Sequence, residues 1–370
     1  MLKPSDFDYF LPDGLIAQKP LPKRDSSRLL ILDRQTGRSK HAQFKDILNH
    51  LGSSDVLVLN QTKVFPARIF GQKPSGGKTQ VLLLSQTSQD TWTAISRPGL
   101  KISQTITFPQ KLLATVTSFD PQTGQSVLKF NQTAQNFWQT LDKIGHTPIP
   151  PYINQNQPEK MLRQKYQTVY ATTQGSAAAP TAGLHFTRPL LKSLQKKGVQ
   201  IEYITLHVGL GTFQSLRLHH LKTKTLHPEF VDIPKDTALR LNQAKKSGKR
   251  IIAVGTTTTR ALESASDSTG ILRPYSSNTT IFIYPPQKFN FVDSLITNFH
   301  LPQSSLLMLV SAFSSHPNTP HHFSQFKSSP LGLAYLAAVN QKYRFFSFGD
   351  AMFISQILPD QIPNRRSSQD

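Results

Sequence analysis

Cysteine is absent from the chain, so disulfides, iron–sulfur clusters, cysteine-based zinc sites and cysteine nucleophiles are all excluded. Acids are scarce: 21 Asp and Glu stand against 42 Lys and Arg, a formal charge of +21 at pH 7. That sign suits a polyanionic partner, because counterions released from phosphates are the main sequence-independent source of nucleic-acid affinity. Charge alone does not choose among RNA, DNA and an anionic membrane surface. Long apolar runs are missing as well. The most apolar stretch near the C-terminus, residues 306–313, is far shorter than the roughly 20 residues that span a bilayer. The N-terminus, Met-Leu-Lys-Pro-Ser-Asp6-Phe-Asp8-Tyr9, carries acids where a signal peptide needs an apolar core. His219, His220, His321 and His322 lie in polar stretches without a His-Glu-x-x-His spacing, so no metal site is expected. These absences leave a soluble cytoplasmic protein as the expectation, and 37% apolar residues are enough to build two or three domains.

Patterning organises the rest. Residues 29–32 and 56–59 read as short buried strands, and Phe44, Ile47, Leu48 and Leu51 fall at helical spacing before Gly52. From about residue 67 to 131 short β-rich runs (80–84, 92–96, 105–108, 113–119, 126–130) recur at the spacing of a small barrel or sandwich. A helix carrying Phe137, Leu141 and Ile144 closes this segment, and the proline-rich link 146–152 leads away. Helices and strands then alternate: a helix over Leu190, Leu191 and Leu194, strands at 199–206, 250–254, 279–284 and 292–297, a helix near 237–246, and a loop at 314–330. The expected fold class is α/β, a mixed α/β main domain with an inserted small all-β barrel domain. The main catalytic domain would comprise 1–64 and 147–358, the barrel 65–146, and a disordered tail 359–370.

Several stretches combine small residues with chemistry-bearing ones. Tyr166-Gln-Thr-Val-Tyr170 leads into Gly175-Ser-Ala-Ala-Ala-Pro-Thr181-Ala-Gly-Leu-His185, a run that suits close approach of backbone to a ligand, the plainer alternative being a connector. Gly255-Thr256-Thr257-Thr-Thr-Arg260-Ala-Leu-Glu263 follows a buried strand, with threonines able to cap a helix beginning near Arg260; such a turn can receive a carboxylate or phosphate. Leu206-His207-Val-Gly209-Leu-Gly211 also ends a strand but lacks the third glycine of a dinucleotide fingerprint. His227 and Glu229 stand close together, as a surface pair or as ligands for ribose hydroxyls or an ammonium. Asp293 and His300 bracket Ser-Leu-Ile-Thr-Asn298-Phe, and Asp350 ends Tyr343-Arg-Phe-Phe-Ser-Phe-Gly. Acids in such settings act as acid, base or electrostatic support, or pair with an arginine.

Together with Leu15-Ile-Ala-Gln18-Lys-Pro, Arg24-Asp25-Ser-Ser-Arg28-Leu-Leu and Leu59-Asn60-Gln-Thr62-Lys63-Val-Phe-Pro66-Ala-Arg68, these motifs make the chain resemble the S-adenosylmethionine:tRNA ribosyltransferase-isomerases of queuosine synthesis. The resemblance spans nearly the whole chain and implies an α/β domain interrupted by a small β-barrel. It also implies transfer and isomerisation of the ribosyl part of S-adenosylmethionine onto 7-aminomethyl-7-deazaguanine at the tRNA wobble position. Epoxyqueuosine-tRNA, adenine and methionine would be the products.

Within the matched motifs the resemblance offers His185 and His300 for proton transfer, with Asp293 and Asp350 as supports. Thr256, Thr257 and Arg260 would hold the methionine carboxylate and Glu229 the ribose or ammonium. Tyr166, Tyr170, Thr181, His207, Gly209, Gly211 and Glu263 would complete the donor site, and Arg24, Arg28, Lys63 and Arg68 would meet tRNA. S-adenosylmethionine is the ribosyl-donor co-substrate on this reading, no metal or other cofactor is needed, and a monomer is expected. The chain departs from the family pattern at Thr172-Thr-Gln174, where an acid is usual, and at Pro286, where glycine is usual. Two other functions fit parts of the pattern: a tRNA methyltransferase, and a basic RNA-binding protein without catalysis.

Overall fold

The computed structural model describes residues 2–150, 152–153, 157–209 and 223–356. Strand β1 (Arg28–Asp33) and its antiparallel neighbour β2 (Ser39–Gln43) are joined by a turn in which the Asp33 carboxylate accepts from the Gln35 backbone N–H. Strand β3 (Asp55–Asn60) is buried along its whole length and leads into a short β4 (Thr62–Val64).

Six antiparallel strands then close a barrel: β5 (Arg68–Gln72), β6 (Lys78–Gln86), β7 (Thr91–Arg97), β8 (Thr105–Thr107), β9 (Leu113–Asp120) and β10 (Gln125–Phe130), in the order β10-β7-β6-β5-β8-β9. Alternate residues, among them Val81, Leu83, Trp92, Ala94, Ala114 and Val116, fill its interior, as a period of two in a closed sheet requires. Helix α1 (Ala134–Ile144) packs Phe137 and Leu141 into the same core.

The chain returns through α2 (Glu159–Lys165) and β11 (Thr173–Ser176), which pairs with β4. Next come α3 (Arg188–Lys196), β12 (Gln200–Leu206), β13 (Thr225–Ile233) and α4 (Lys235–Lys246). They are followed by β14 (Arg250–Val254), α5 (Thr256–Ala265), β15 (Tyr275–Ile281) and β16 (Ser294–Asn298). Helices α6 (Ser305–Phe313) and α7 (Pro330–Asn340) precede the last described strand, β17 (Ala351–Ser355).

Among the described residues nine strands form the main sheet, in the order β15-β13-β12-β3-β14-β16-β17-β1-β2. Both of its faces are covered. Leu30, Leu32, Val56 and Val58 join the core under α4 to α7, while Leu29, Ile31, Leu57 and Leu59 join the core under α3. Burial on both faces explains why these strands read as unbroken apolar runs.

The mixed α/β architecture with its barrel is the expected fold class; several elements differ in detail. Phe44–Asn49 is a 3-10 helix whose start is held by the Asp46 carboxylate accepting from Gln43 N. Strand β15 lies earlier than the expected 279–284, because its polar residues pair with the edge of β13 while Phe282 and Ile283 turn into the core. Helix α7 was not anticipated, and the 314–330 segment contains a 3-10 turn at Phe326–Ser328. The expected tail, 359–370, lies outside the described residues.

Candidate active site

Strands β12, β3, β14 and β16 are mutually parallel, so their carboxyl ends share one edge of the sheet. Strand β17 runs antiparallel to β16 and parallel to β1, so the amino ends of β17 and β1 reach the same edge. His207 and Gly209 (after β12), Thr62 (after β3), Gly255 and α5 (after β14), Asn298 and His300 (after β16), Asp350 (before β17) and Ser27 (before β1) are thereby brought together. Crevices outside the carboxyl ends of parallel strands are the usual ligand sites of open α/β sheets.

The small-residue run lies against this edge. Ser176 Oγ accepts from Val208 N at 2.8 Å, Ala177 N donates to Val208 O, and Thr181 Oγ1 donates to Asn298 Oδ1 at 2.9 Å. At Gly175, φ is +148° and a Cβ would come within 2.6 Å of His207 Nε2, so only glycine lets β11 pass the imidazole. His207 stacks on Phe230 and its Nδ1 meets Thr62 Oγ1 at 2.8 Å; burial pushes its pKa down, against a smaller opposite effect of Asp232.

Helix α5 begins at Thr256, four residues before the expected start, because Gly255 adopts φ +91° and forms the N-cap. The threonines therefore sit inside the first turn. Thr258 and Thr259 return their hydroxyls to the carbonyls of Val254 and Gly255, while the Thr257 hydroxyl is buried without a hydrogen-bond partner. A first helical turn carries free N–H groups and the positive end of the dipole. Further along, the Arg260 guanidinium pairs with Glu229 Oε2 through Nη1 and donates from Nε to Ile281 O at 3.2 Å; its Nη2 is buried without a partner. Glu229 Oε1 accepts from Gly209 N at 2.9 Å.

Two recesses and a cleft adjoin here. Ala179, Thr181, Val208, Thr256, Thr257 and His300 line the first recess; Gly209, Leu226, Glu229, Arg260, Ile283 and Leu309 line the second. Both are narrow, with free volumes of about 30 and 20 Å³, and half-buried Leu306 lines both. The cleft, about 750 Å³, lies between the barrel (Gln86, Trp92, Asp120, Gln125) and the main sheet (His207, Gly209, Glu229, Phe230).

The two histidines differ in setting. His185 is enclosed: Nδ1 meets Ser27 Oγ at 2.8 Å, Nε2 meets Asn298 Nδ2 at 3.1 Å, and the ring packs on Phe44. Thr181 fixes the Asn298 oxygen, so the Asn298 amide donates to Nε2 and the proton of neutral His185 resides on Nδ1. His300 lines the first recess, with Nε2 against Thr297 Oγ1 at 2.9 Å. Burial drives both pKa values down to about 3, with Arg24 and Arg344 adding to the effect at His185, so both rings are neutral at pH 7.

A queuosine biosynthesis protein family model matches residues 4–354 of this chain. The chain belongs to that family. It is 47% identical over 354 residues to an S-adenosylmethionine:tRNA ribosyltransferase-isomerase of Clostridium kluyveri, a match covering 95% of this chain and 99% of the relative. The enzyme of the same name from Caldanaerobacter subterraneus subsp. tengcongensis is 46% identical over 356 residues, 95% and 100% of the two chains. The crystal structure of a Thermotoga maritima S-adenosylmethionine tRNA ribosyltransferase shares the fold with a TM-score of 0.53 and 36% identity, covering 95% of this chain and all of that one. Like these queuosine-family relatives, the chain is an enzyme of the transferase-isomerase class.

Not every residue expected to serve the site reaches it. Asp293 precedes β16, a five-residue strand spanning roughly 16 Å, and so stands at the opposite edge of the sheet. There it accepts from Lys245 Nζ at 3.1 Å and Ile251 N at 2.8 Å. Glu263 accepts from the backbone N–H groups of Asn290, Phe291 and Val292, so it anchors that loop rather than a ligand. Burial raises its pKa against those bonds. Tyr166 packs on Phe348 and Tyr170 near Tyr203, outside both recesses. Asp350 reaches the right edge but is spent on Arg28 N, Arg28 Nε and Arg344 N.

Three expected tRNA-binding residues are also used internally. Arg24 donates to Leu184 O and Gln164 O, Arg28 to Gln341 O and Lys342 O, and Arg68, 8% exposed, to Ile149 O. Lys63 is exposed. Gly211 lies outside the described residues. Asn298, by contrast, received no role from sequence although its buried side chain links Thr181 to His185; the available signal was an amide at the end of a short strand, two residues before His300.

Proposed function

We propose that the enzyme transfers and isomerises the ribosyl moiety of S-adenosylmethionine onto 7-aminomethyl-7-deazaguanine at the wobble position of a tRNA, giving epoxyqueuosine-tRNA, adenine and methionine. One observation carries the placement of the donor. Thr257 Oγ1 and Arg260 Nη2, both buried and unpartnered, line adjoining recesses at the ends of four parallel strands. Buried donors are normally satisfied, and a pair left open in one crevice fits a polar ligand. Seating a nucleoside in recesses this narrow requires side chains such as Leu306, which lines both, to turn aside. The neighbouring cleft, open toward the barrel, suits the anticodon nucleotide, and the excess of basic residues suits the tRNA backbone.

His300 is the base on this reading. With its ring proton on Nε2, beside Thr297 Oγ1, the Nδ1 lone pair takes a proton from the donor carbon beside the sulfonium or from the incoming amine; burial makes this imidazole a weak base, so the acidifying pull of the adjoining sulfonium drives the transfer. A neutral imidazole can accept a proton but is a poor acid, so adenine departure draws its proton from another group. His185, bonded at both ring nitrogens, is a positioning residue that holds Asn298 and through it Thr181. The sulfonium supplies the activation, so the reading calls for no metal or redox cofactor. Among the described residues no helix is long and apolar enough to cross a membrane, and a cytoplasmic monomer is part of the proposal.

His300→Gln tests the assignment. The variant should bind tRNA and S-adenosylmethionine as the parent does while losing about 100-fold or more in turnover, the usual contribution of a general base. Unimpaired turnover would remove His300 from the role.

A further inference from the structure

The cleft between the barrel and the main sheet runs against the charge of the chain. Among the described residues no lysine or arginine lines it, although the sequence carries 42 of them, and Asp120 on its barrel wall adds negative charge. Its walls offer aromatic faces and side-chain amides instead. On the barrel side the half-buried Trp138 stands at 82° to Trp92 and 88° to Phe65, each ring centroid 5.5 Å away, so two core rings fix its plane. On the sheet side Phe230 is 38% exposed, a large apolar ring left in water, with His207 stacked on it. Asn278 of β15 pairs in register with Phe230, and Gln125 of β10 and Gln174 of β11 bring further amides to the same cleft. Phosphates are held by cations, whereas bases are held by stacking and by donors and acceptors that match their edges. Rings and amides without a cation therefore suit bases rather than backbone, and only unpaired nucleotides have faces and edges free to be taken up. At about 750 Å³ the cleft lies within the roughly 300–1,000 Å³ of pockets that enclose a ligand. Gly209 and Glu229 line both it and the second recess, so its occupant is continuous with the group that reacts.

We infer that the cleft is a base-reading site for the unpaired anticodon-loop nucleotides next to the wobble position, with Trp138 and Phe230 stacking on base faces and Gln125, Gln174 and Asn278 bonding to base edges. The inference rests on the substrate being a tRNA that reacts at its wobble base. It gives the barrel a task of its own: the sheet carries the reacting groups, and the wall built by Trp138 and Gln125 selects the loop sequence. Phosphates are left to cations outside the cleft, such as the exposed Lys63, which pairs in register with Gln174.

Trp92 and Trp138 are the only tryptophans of the chain and both line the cleft, so tryptophan emission of the full-length enzyme reports on it without any substitution. Saturation with an anticodon stem-loop RNA, followed in parallel by anisotropy of a labelled copy, should quench that emission. Trp138→Leu should weaken RNA binding about tenfold or more, the worth of one stacked base, and Trp138→Phe should recover most of the loss. Phe230→Leu removes the opposite ring without touching the barrel and should weaken binding to a similar degree. In both leucine variants the salt dependence should keep the parent's slope, because no phosphate contact is lost. Exchanging loop bases one at a time lowers the affinity of the parent; in Gln125→Ala/Gln174→Ala/Asn278→Ala the penalty at one position or more should shrink about fivefold. The inference is overturned if RNA saturates the wild-type enzyme with its emission unchanged, or if either leucine variant binds RNA as tightly as the parent. A salt slope reduced by about 1 in those variants would mark a phosphate contact and overturn it too, as would base penalties unchanged at every loop position in the triple variant. Failure of the substrate assignment looks different: with the modified tRNA the wild-type enzyme would release no adenine from S-adenosylmethionine, whatever its emission does.

Discussion

Acidification should destabilise the enzyme through two particular side chains. His185 and His300 have pKa values of about 3 in the folded protein against an ordinary value of 6.5. Between those limits the unfolded chain takes up protons that the folded chain refuses, so stability falls as pH drops below about 6.5 and the loss is complete near pH 3. At pH 5 the unfolded imidazole is almost fully protonated and the folded one is not, which costs about 2 kcal/mol for each histidine and about 4 kcal/mol for the two. That is a large share of the roughly 5–15 kcal/mol by which domains are stable. Urea unfolding at pH 7 and pH 5 measures it, followed by far-ultraviolet circular dichroism because both tryptophans, Trp92 and Trp138, belong to the barrel. His207, whose pKa is also lowered, contributes in the same direction but is common to parent and variant. The double variant His185→Gln/His300→Gln should therefore lose about 4 kcal/mol less between the two pH values than the parent. Equal losses in parent and variant would refute the claim that these rings are held neutral by burial.

Two further outcomes follow from the same contacts. Glu263→Ala strips the acceptors from three backbone N–H groups and should lower unfolding free energy by about 3 kcal/mol or more, with donor affinity of the folded fraction unchanged; a matching loss of donor affinity would restore it to the site. Lys63→Ala should weaken tRNA binding and reduce the salt slope by about 1, whereas Arg68→Ala should lower the melting temperature and leave that slope alone.

Where a residue's neighbours along the chain settle its environment, the sequence was readable. Strands β1, β3 and β14 announce themselves as apolar runs because both faces of the main sheet are covered, and the barrel strands by their alternation. Strand β13 escaped notice because it pairs with the polar β15 toward the sheet edge and carries His227, Glu229 and Asp232 among its apolar residues. The site was legible as motifs but not as geometry. Asp293 and His300 are seven positions apart, and only the direction of β16 reveals that one lies at each end of the sheet. Glu263 and Arg260 share a helix, yet one anchors a loop and the other pairs with Glu229, a difference set by β13 and the 290–292 segment rather than by α5 itself. The arginines expected to meet tRNA read as free cations because the carbonyls that hold them come from distant parts of the chain.

The most direct test of the whole account is mass spectrometry of the products formed from S-adenosylmethionine and tRNA bearing 7-aminomethyl-7-deazaguanine in its anticodon. Free adenine and methionine should appear in equal amounts, with a tRNA whose modified base has gained the isomerised ribosyl group. Accumulation of S-adenosylhomocysteine with a methylated tRNA would instead make the enzyme a methyltransferase, and tRNA binding with no change in either reactant would make it a binding protein; either result contradicts the account.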